Sequence, residues 1–446
     1  MDKITTLKLI RDGGVVGAGG GGFPTYVKLN SNVEHIIANG VECEPLLYKD
    51  REVMLQESEK MIKGLEIARE LTGASKVTIA IKRKNEDVAN FLAPMAKQHG
   101  MDIFLMENVY PAGDEYIIVY DVTGKRIPPG GIPLNVGCVV DNVETLVNIT
   151  NAVYNEPVTE KYLTITGEVK EAVTVKVPVG TSFKQCIDLA GGFTIDDPVI
   201  VTGGVMMGGI ETDFSLPVSK TNGALIVLPK NHSLIKRKTA PMNVINRIGH
   251  SACDQCSFCT QLCPRYILGY PIQPHLVMRS LQMTGDEKER LSYWATYCCE
   301  CNICSLFACP EKLDPKNICV DNKKRLRNEK KGFSKEELNN VFRDVHPVRN
   351  EREIPISILY QRLGVKPYDR KAHYIENGKS IDNVIIPLIN NMGSNASAIV
   401  KVGELVKKGS LIGSVPEDKM GTPVHSSIDG KVTKITDTSI YISSNI

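Results

Sequence analysis

Eight of the thirteen cysteines in this 446-residue chain fall in two short runs. Cys253, Cys256, Cys259 and Cys263 precede Pro264 in the spacing C-x2-C-x2-C-x3-C-P. Cys298, Cys301, Cys304 and Cys309 precede Pro310 in C-x2-C-x2-C-x4-C-P. Thiolates are soft ligands, and cysteines on a tight loop at this step aim three sulfurs at three corners of one iron–sulfur cubane. The fourth sulfur comes from elsewhere, and in paired runs it comes from the other run. The pattern therefore predicts two 4Fe–4S clusters, one on Cys253, Cys256, Cys259 and Cys309, the other on Cys298, Cys301, Cys304 and Cys263. Structural zinc takes two separated pairs of ligands instead, and disulfides between such close neighbours are strained. The extra residue before Cys309 reads as a one-residue bulge. Cys299 adjoins Cys298, but only Cys298 keeps the x2 step to Cys301. Cys43, Cys138, Cys186, Cys299 and Cys319 read as packed thiols.

A second group of residues lies near the N-terminus. Gly17, Gly19, Gly20, Gly21 and Gly22 lead into Phe23 and Pro24. Glycines remove Cβ atoms where a backbone turns sharply or approaches a bound group. Taken alone they leave a phosphate cradle and a flexible turn equally open. Acid-bearing loops then follow: Asn39 with Glu42 and Glu44 after a strand at 35–38, and Gly113, Asp114 and Glu115 in the stretch YPAGDE. Asp141, Asn142 and Thr145 open a helix running to 153, where a helix N-terminus favours phosphate. Carboxylates after a strand suit a crevice at its carboxyl end.

The elements that must position these groups alternate. A helix at 3–11, the strand at 35–38, a helix at 53–71 and a strand at 76–82 indicate an α/β unit. From residue 162 two strands, a helix at 183–190 and strands at 199–202 and 224–228 suggest a β-grasp. The turn GGVMMGG at 203–209 reads as two packed methionines, with a corrinoid contact as the less favoured reading. His232 and His250 read as surface or interface residues. A charged, solvated helix is expected at 321–340, with a basic face for an acidic partner as its alternative use. Short strands follow from 383 to the end. Length suggests about three domains, and 42% hydrophobic with 23% charged residues is ordinary globular composition. A net charge of +2 carries no nucleic-acid signal. No apolar run approaches the ~20 residues of a spanning helix, and no secretory leader is evident. These features together point to a reducing cytoplasmic setting.

Taken in order, GAGGGGFPT, NGVECEP, YPAGDE and DNVET resemble the flavin- and NADH-binding subunit of respiratory complex I. The chain is closer to the Rnf-type electron-transport group and, within it, most resembles the cobalamin-reductase group of propanediol-utilisation microcompartments. The resemblance implies a multidomain α/β (α+β) protein. Its units would be an FMN/NADH-binding α/β domain at 1–155, an SLBB β-grasp domain at 156–240 and a helical ferredoxin-like two-cluster domain at 241–330. A charged linker at 331–380 and a barrel-sandwich hybrid β domain at 381–446 would complete it. Carriers built on that last fold present a modified Lys at a hairpin tip; this chain has HSSIDG at 425–430, so a docking module is expected. The resemblance also implies an FMN site at Gly17, Gly19, Lys28, Asn39, Glu42, Asn142 and Thr145. NADH would meet Phe23, Glu44, Gly113, Asp114 and Glu115. Ala18, Val41 and Asp141 depart from the complex I pattern, which has Arg, Asp and Asn there. The implied activity passes electrons from NADH through FMN and two 4Fe–4S clusters to a corrinoid, in the cytoplasm or inside a microcompartment. Two alternatives stand beside it. One is a relay subunit serving a shell protein or a glycyl-radical activating enzyme; the other is a scaffold with structural clusters.

Overall fold

A computed structural model describes residues 2–376, 380–389 and 392–445; parts of the expected linker and barrel-sandwich unit (377–379, 390–391 and 446) and Met1 lie outside the described residues. The first unit is a parallel sheet in the order Asp102–Met106, Lys76–Lys82, His35–Gly40, Cys138–Asn142. Its strands are apolar on both sides because both sides are covered. Ile36, Ala38, Ile79 and Val139 face one core, Ile37, Ala80 and Val140 the other. Successive strands step outward on one side of His35–Gly40, and Cys138–Asn142 joins on the other. The strand order therefore reverses between these two strands, where an α/β sheet opens a crevice. Gly64 lets helix Ser58–Thr72 press on helix Val143–Val153, since a Cβ there would sit 2.1 Å from the Leu146 carbonyl oxygen.

The helix expected at 53–71 is two helices, Lys49–Gln56 and Ser58–Thr72. Glu57 breaks the run, and its carboxylate is held by the Tyr162 hydroxyl (2.9 Å) and Lys176 Nζ (2.8 Å) of the β-grasp. The β-grasp sheet runs Val173–Pro178, Glu160–Gly167, Ala224–Pro229, Pro198–Thr202, Gly209–Glu211. Only its first and last strands in chain order, Glu160–Gly167 and Ala224–Pro229, pair in parallel. Of the two methionines expected to be packed, Met206 is buried while Met207 is 57% exposed.

The charged helix expected at 321–340 starts earlier, at Pro315, and ends at Glu329; a second helix, Lys335–Val341, follows. Lys330 in the left-handed region stops the first, and a Ser334–Glu337 capping box starts the second. The stretch expected as a linker is in part core. Ile354–Pro355 pairs with Val109–Tyr110, and Ile356, Leu359, Tyr360 and Leu363 pack inward. An apolar face at helical spacing buries itself even inside a charged segment. The C-terminal unit is two small antiparallel sheets around one core. Its 425–430 tip is turned inward: Ser426 and Ser427 are buried, and the Ser427 hydroxyl donates to the Val179 carbonyl at 2.6 Å. Among the described residues no helix is long and apolar enough to cross a membrane.

Candidate functional site

A cavity of about 360 Å³ opens at the reversal point, within the usual size of cofactor sites. Asn39 and Asn142, register partners at the carboxyl ends of adjacent strands, form its back. The glycine loop folds over it. The Gly17 amide donates to the Phe23 carbonyl (2.9 Å) and the Gly22 amide to the Gly17 carbonyl (3.1 Å). Gly20 (φ +117°) and Gly22 (φ +64°) take conformations open mainly to glycine. The amides of Gly19, Gly20 and Gly21 have no partner among the described residues. Gly19 lies against Asn142, where an added Cβ would sit 3.3 Å from the Asn142 Cβ, and Asn142, the Ncap of helix Val143–Val153, accepts from the Glu144 amide (3.1 Å). Free amides and a helix N-terminus together make an anion cradle. Val27, Ile132, Pro133 and Leu134 supply an apolar wall.

Of the twelve residues expected around the cofactors, Gly17, Gly19, Phe23, Lys28, Asn39, Gly113, Glu115 and Asn142 line this cavity. The other four lie outside it. The Thr145 hydroxyl accepts from the buried Ala18 amide (2.9 Å), so it anchors the loop rather than facing a ligand. Glu42 is buried and accepts from the Asp50 amide (3.2 Å). Burial, then the Asp50 carboxylate, pushes its pKa up to about 8. Glu44 turns away to accept from the amides of Met206 and Met207, both at 2.8 Å. Asp114 pairs with Arg265 (2.8 Å), whose guanidinium lies over the Tyr116 ring. Lys28 reaches Asp141 (3.3 Å) and lies 3.8 Å from Glu115. Burial pulls its amine down, but these two carboxylates outweigh it and hold the pKa above the ordinary value. Burial raises the Asp141 pKa above the ordinary carboxylate value, opposed by the neighbouring Lys28 amine.

Sequence reasoning missed the support beneath the loop. Lys49 and Lys161 converge on Glu144, and Lys161 also donates to the Ala18 carbonyl (3.0 Å). All three are buried. Three charges from three distant segments carry no local signal in the chain.

The two cysteine runs share one backbone pattern. Gln255 and Ser257 flank Cys256 with positive φ, and Glu300 and Asn302 flank Cys301 in the same way. Alternating right- and left-handed residues form the amide nests that hold iron–sulfur groups and other anions. Four non-glycine residues in this region are costly unless something bound repays the strain. The matched register aligns Cys253 with Cys298 and thus favours Cys298 over Cys299. The extra residue before Cys309 is absorbed by a π-helical turn, Cys304–Ala308.

The sulfurs gather in two sets. Cys259 is pushed up to about 12 by burial and then by Cys253, Cys256 and Cys309. Cys304 is raised by burial and then by Cys298, Cys259 and Cys263, so the sets adjoin. Cys299 also approaches the second set, hydrogen-bonded with Cys301. Cys298 is lowered to about 7, chiefly by a hydrogen bond with Cys319, which favours the ligating thiolate. Amides of Glu300 and Leu313 point at the sulfurs of Cys298 (3.4 Å) and Cys309 (3.3 Å). Among the described residues no three His, Cys, Asp or Glu side chains converge as a single ion would require; a cubane spreads its ligands farther apart. No disulfide joins any of the thirteen cysteines. Residues 110–115 join the two sites: Gly113 and Glu115 line the cavity, and the Tyr110 hydroxyl donates to the Cys301 carbonyl (2.9 Å).

Family descriptions match along the chain: the Nuo51 FMN-binding domain at 10–151, the SLBB domain at 162–209, a 4Fe-4S dicluster domain at 252–314 and the RnfC barrel sandwich hybrid domain at 360–446. The curated cobalamin reductase PduS of Salmonella typhimurium is 38% identical over 434 residues, 97% of this chain and 95% of that one. A component of the proton-translocating ferredoxin:NAD(+) oxidoreductase complex of Clostridium ljungdahlii is 32% identical over 58% of this chain and 56% of its own. A chain of an NAD+-reducing NiFe-hydrogenase in the H2-reduced state shares the fold, with TM-score 0.51 at 19% identity, over 73% of this chain and 62% of that one.

Proposed function

The chain belongs to the PduS family of flavin- and iron–sulfur-dependent oxidoreductases, and from that membership we propose that it moves electrons from NADH to a corrinoid, cobalamin. FMN in the cavity and two 4Fe–4S clusters on the cysteine runs would supply the change from paired to single electrons and their carriage. Lys28, kept protonated by its carboxylate neighbours, would face the anionic parts of the flavin. The amides of Gly19 to Gly21 and the start of helix Val143–Val153 would receive its phosphate. Phe23, Val27 and Pro133 would exclude water from its ring. The buried Lys49–Glu144–Lys161 group holds the Ala18 carbonyl and so anchors the base of the loop. Cys253, Cys256, Cys259 and Cys309 would hold one cluster, and Cys263, Cys298, Cys301 and Cys304 the other.

The observation carrying this reading is that one loop, 110–115, walls the cavity and touches the second cysteine run. Anaerobically purified protein is expected to contain FMN and two clusters per chain and to reduce hydroxocobalamin with NADH. Protein lacking iron, or holding zinc, would refute it. In this reading the flavin unit is 1–155, the β-grasp 156–240, the cluster unit 241–330 and the barrel-sandwich unit 381–446. The protein would act in the cytoplasm, in or beside a microcompartment, with a shell protein as a further partner. A second reading has one specific support: Glu44 and Asp114, two carboxylates implied for NADH, are taken up by internal bonds. A relay subunit would then cycle its clusters with a protein donor yet show no NADH turnover.

A further inference from the structure

A second cavity, of about 540 Å³, lies between the 203–209 turn, helix Met242–Ala252 and the loop after the second cysteine run. It shares no lining residue with the flavin cavity. Lys236, Arg237, Lys238, Lys312 and Lys316 line it, with Asp314 as the single acid. Asp314 is already occupied, accepting from the Ser305 hydroxyl (2.7 Å) and the Asn317 amide (3.0 Å). None of the five cations forms an ion pair within 4.0 Å among the described residues. Arg237 donates to the Ser305 carbonyl and Lys238 to those of Val205 (3.2 Å) and Met206 (2.9 Å). Asp314 acts on both cations and Glu44 on Lys238 from beyond ion-pair distance, which leaves Lys236, Lys312 and Lys316 to face the hollow.

The rim is apolar. Met207 and Ile248 line the hollow while 57% and 44% exposed, and buried Ile245 lies behind them. Balancing the charge of iron-bound thiolates would need neither a hollow of this size nor an apolar rim. We propose that this cavity binds a phosphate-bearing organic molecule of nucleotide size, with its phosphates against Lys236, Lys312 and Lys316 and its apolar part against Met207, Ile245 and Ile248. Asn302 and Leu313 line the same cavity, and the Leu313 amide points at the Cys309 sulfur. Negative charge placed there disfavours an arriving electron, so the bound ligand lowers the clusters' midpoint potential. Reduced clusters in turn release the ligand more readily.

The test is calorimetry on the cluster- and flavin-loaded protein, with ADP as the probe and inorganic pyrophosphate as its charge-only counterpart. ADP should bind once per chain, more tightly than pyrophosphate. Its affinity should fall about tenfold or more in Lys236→Glu/Lys312→Glu and survive in Lys28→Met. Lys236→Glu/Lys316→Glu replaces the first variant if that one loses iron. No ADP binding at millimolar concentration, equal affinity in the charge-reversed protein, or a loss confined to Lys28→Met would each overturn the proposal. An unchanged cluster midpoint with ADP bound would overturn the placement beside the cysteine loops.

Discussion

Thr145→Val removes one hydrogen bond and leaves the shape of the site almost unaltered. The side chain is fully buried, and its hydroxyl is the acceptor for the Ala18 amide at 2.9 Å. Valine leaves that amide facing a methyl group, at a cost of about 1–3 kcal/mol for a buried unpaired donor. Without flavin the glycine loop can relax and offer the amide to water, so the penalty is avoided. Binding FMN forces the loop back, and the penalty returns as lost affinity. At about 1.4 kcal/mol per tenfold, the FMN dissociation constant should rise roughly 5- to 150-fold. Deflavinated, cluster-loaded protein titrated with FMN and followed by fluorescence quenching measures it, with iron content as the control for folding. Thr145→Ser restores the hydroxyl and should recover most of the affinity. A valine variant within about twofold of wild type would mean that this bond does not fix the loop for its ligand.

Cys298→Ser should lower iron from about eight to about four atoms per chain, while Cys299→Ser should retain it; iron and sulfide analysis decides, and the reverse result would place Cys299 on the cluster. Gly113→Ala puts a Cβ 2.4 Å from the Val41 carbonyl oxygen and should cost about 1–3 kcal/mol, seen as a lower thermal midpoint; an unchanged midpoint would show that the loop is free to move. Glu42 has its pKa raised from 4.5 to about 8. The unfolded chain therefore loses this proton before the folded one, and the residue's contribution to stability, complete below 4.5, falls as pH rises towards about 8. Glu42→Gln should abolish that decline in urea midpoints measured from pH 5 to 8; parallel curves for both proteins would contradict the shift.

The features readable in the sequence are those whose signal is local. Cysteine spacing is set by the reach of one loop, and Lys76–Lys82 shows its strand through a short apolar run. The glycine loop announces itself because the positive φ at Gly20 and Gly22 favours glycine. What escaped depends on partners far along the chain. Glu44 bonds amides 162 and 163 positions away, and Asp114 pairs with a residue 151 positions on. Their acidic character gives no sign of these internal partners, which only the fold brings to them. Thr145 was placed at the right helix end, but nothing local shows which side of that end its hydroxyl faces. The core face of 354–365 was hidden among charged neighbours, and the inward turn of the 425–430 tip depends on Val179 in another unit.

The account rests on a flavin cavity wired to paired clusters through one loop, and low-temperature electron paramagnetic resonance tests that wiring directly. Anaerobic protein carrying FMN, mixed with NADH, should develop signals from two reduced 4Fe–4S clusters, and the same protein stripped of FMN should not. Flavin that bleaches while the clusters stay oxidised, or clusters that reduce equally well without flavin, would contradict it.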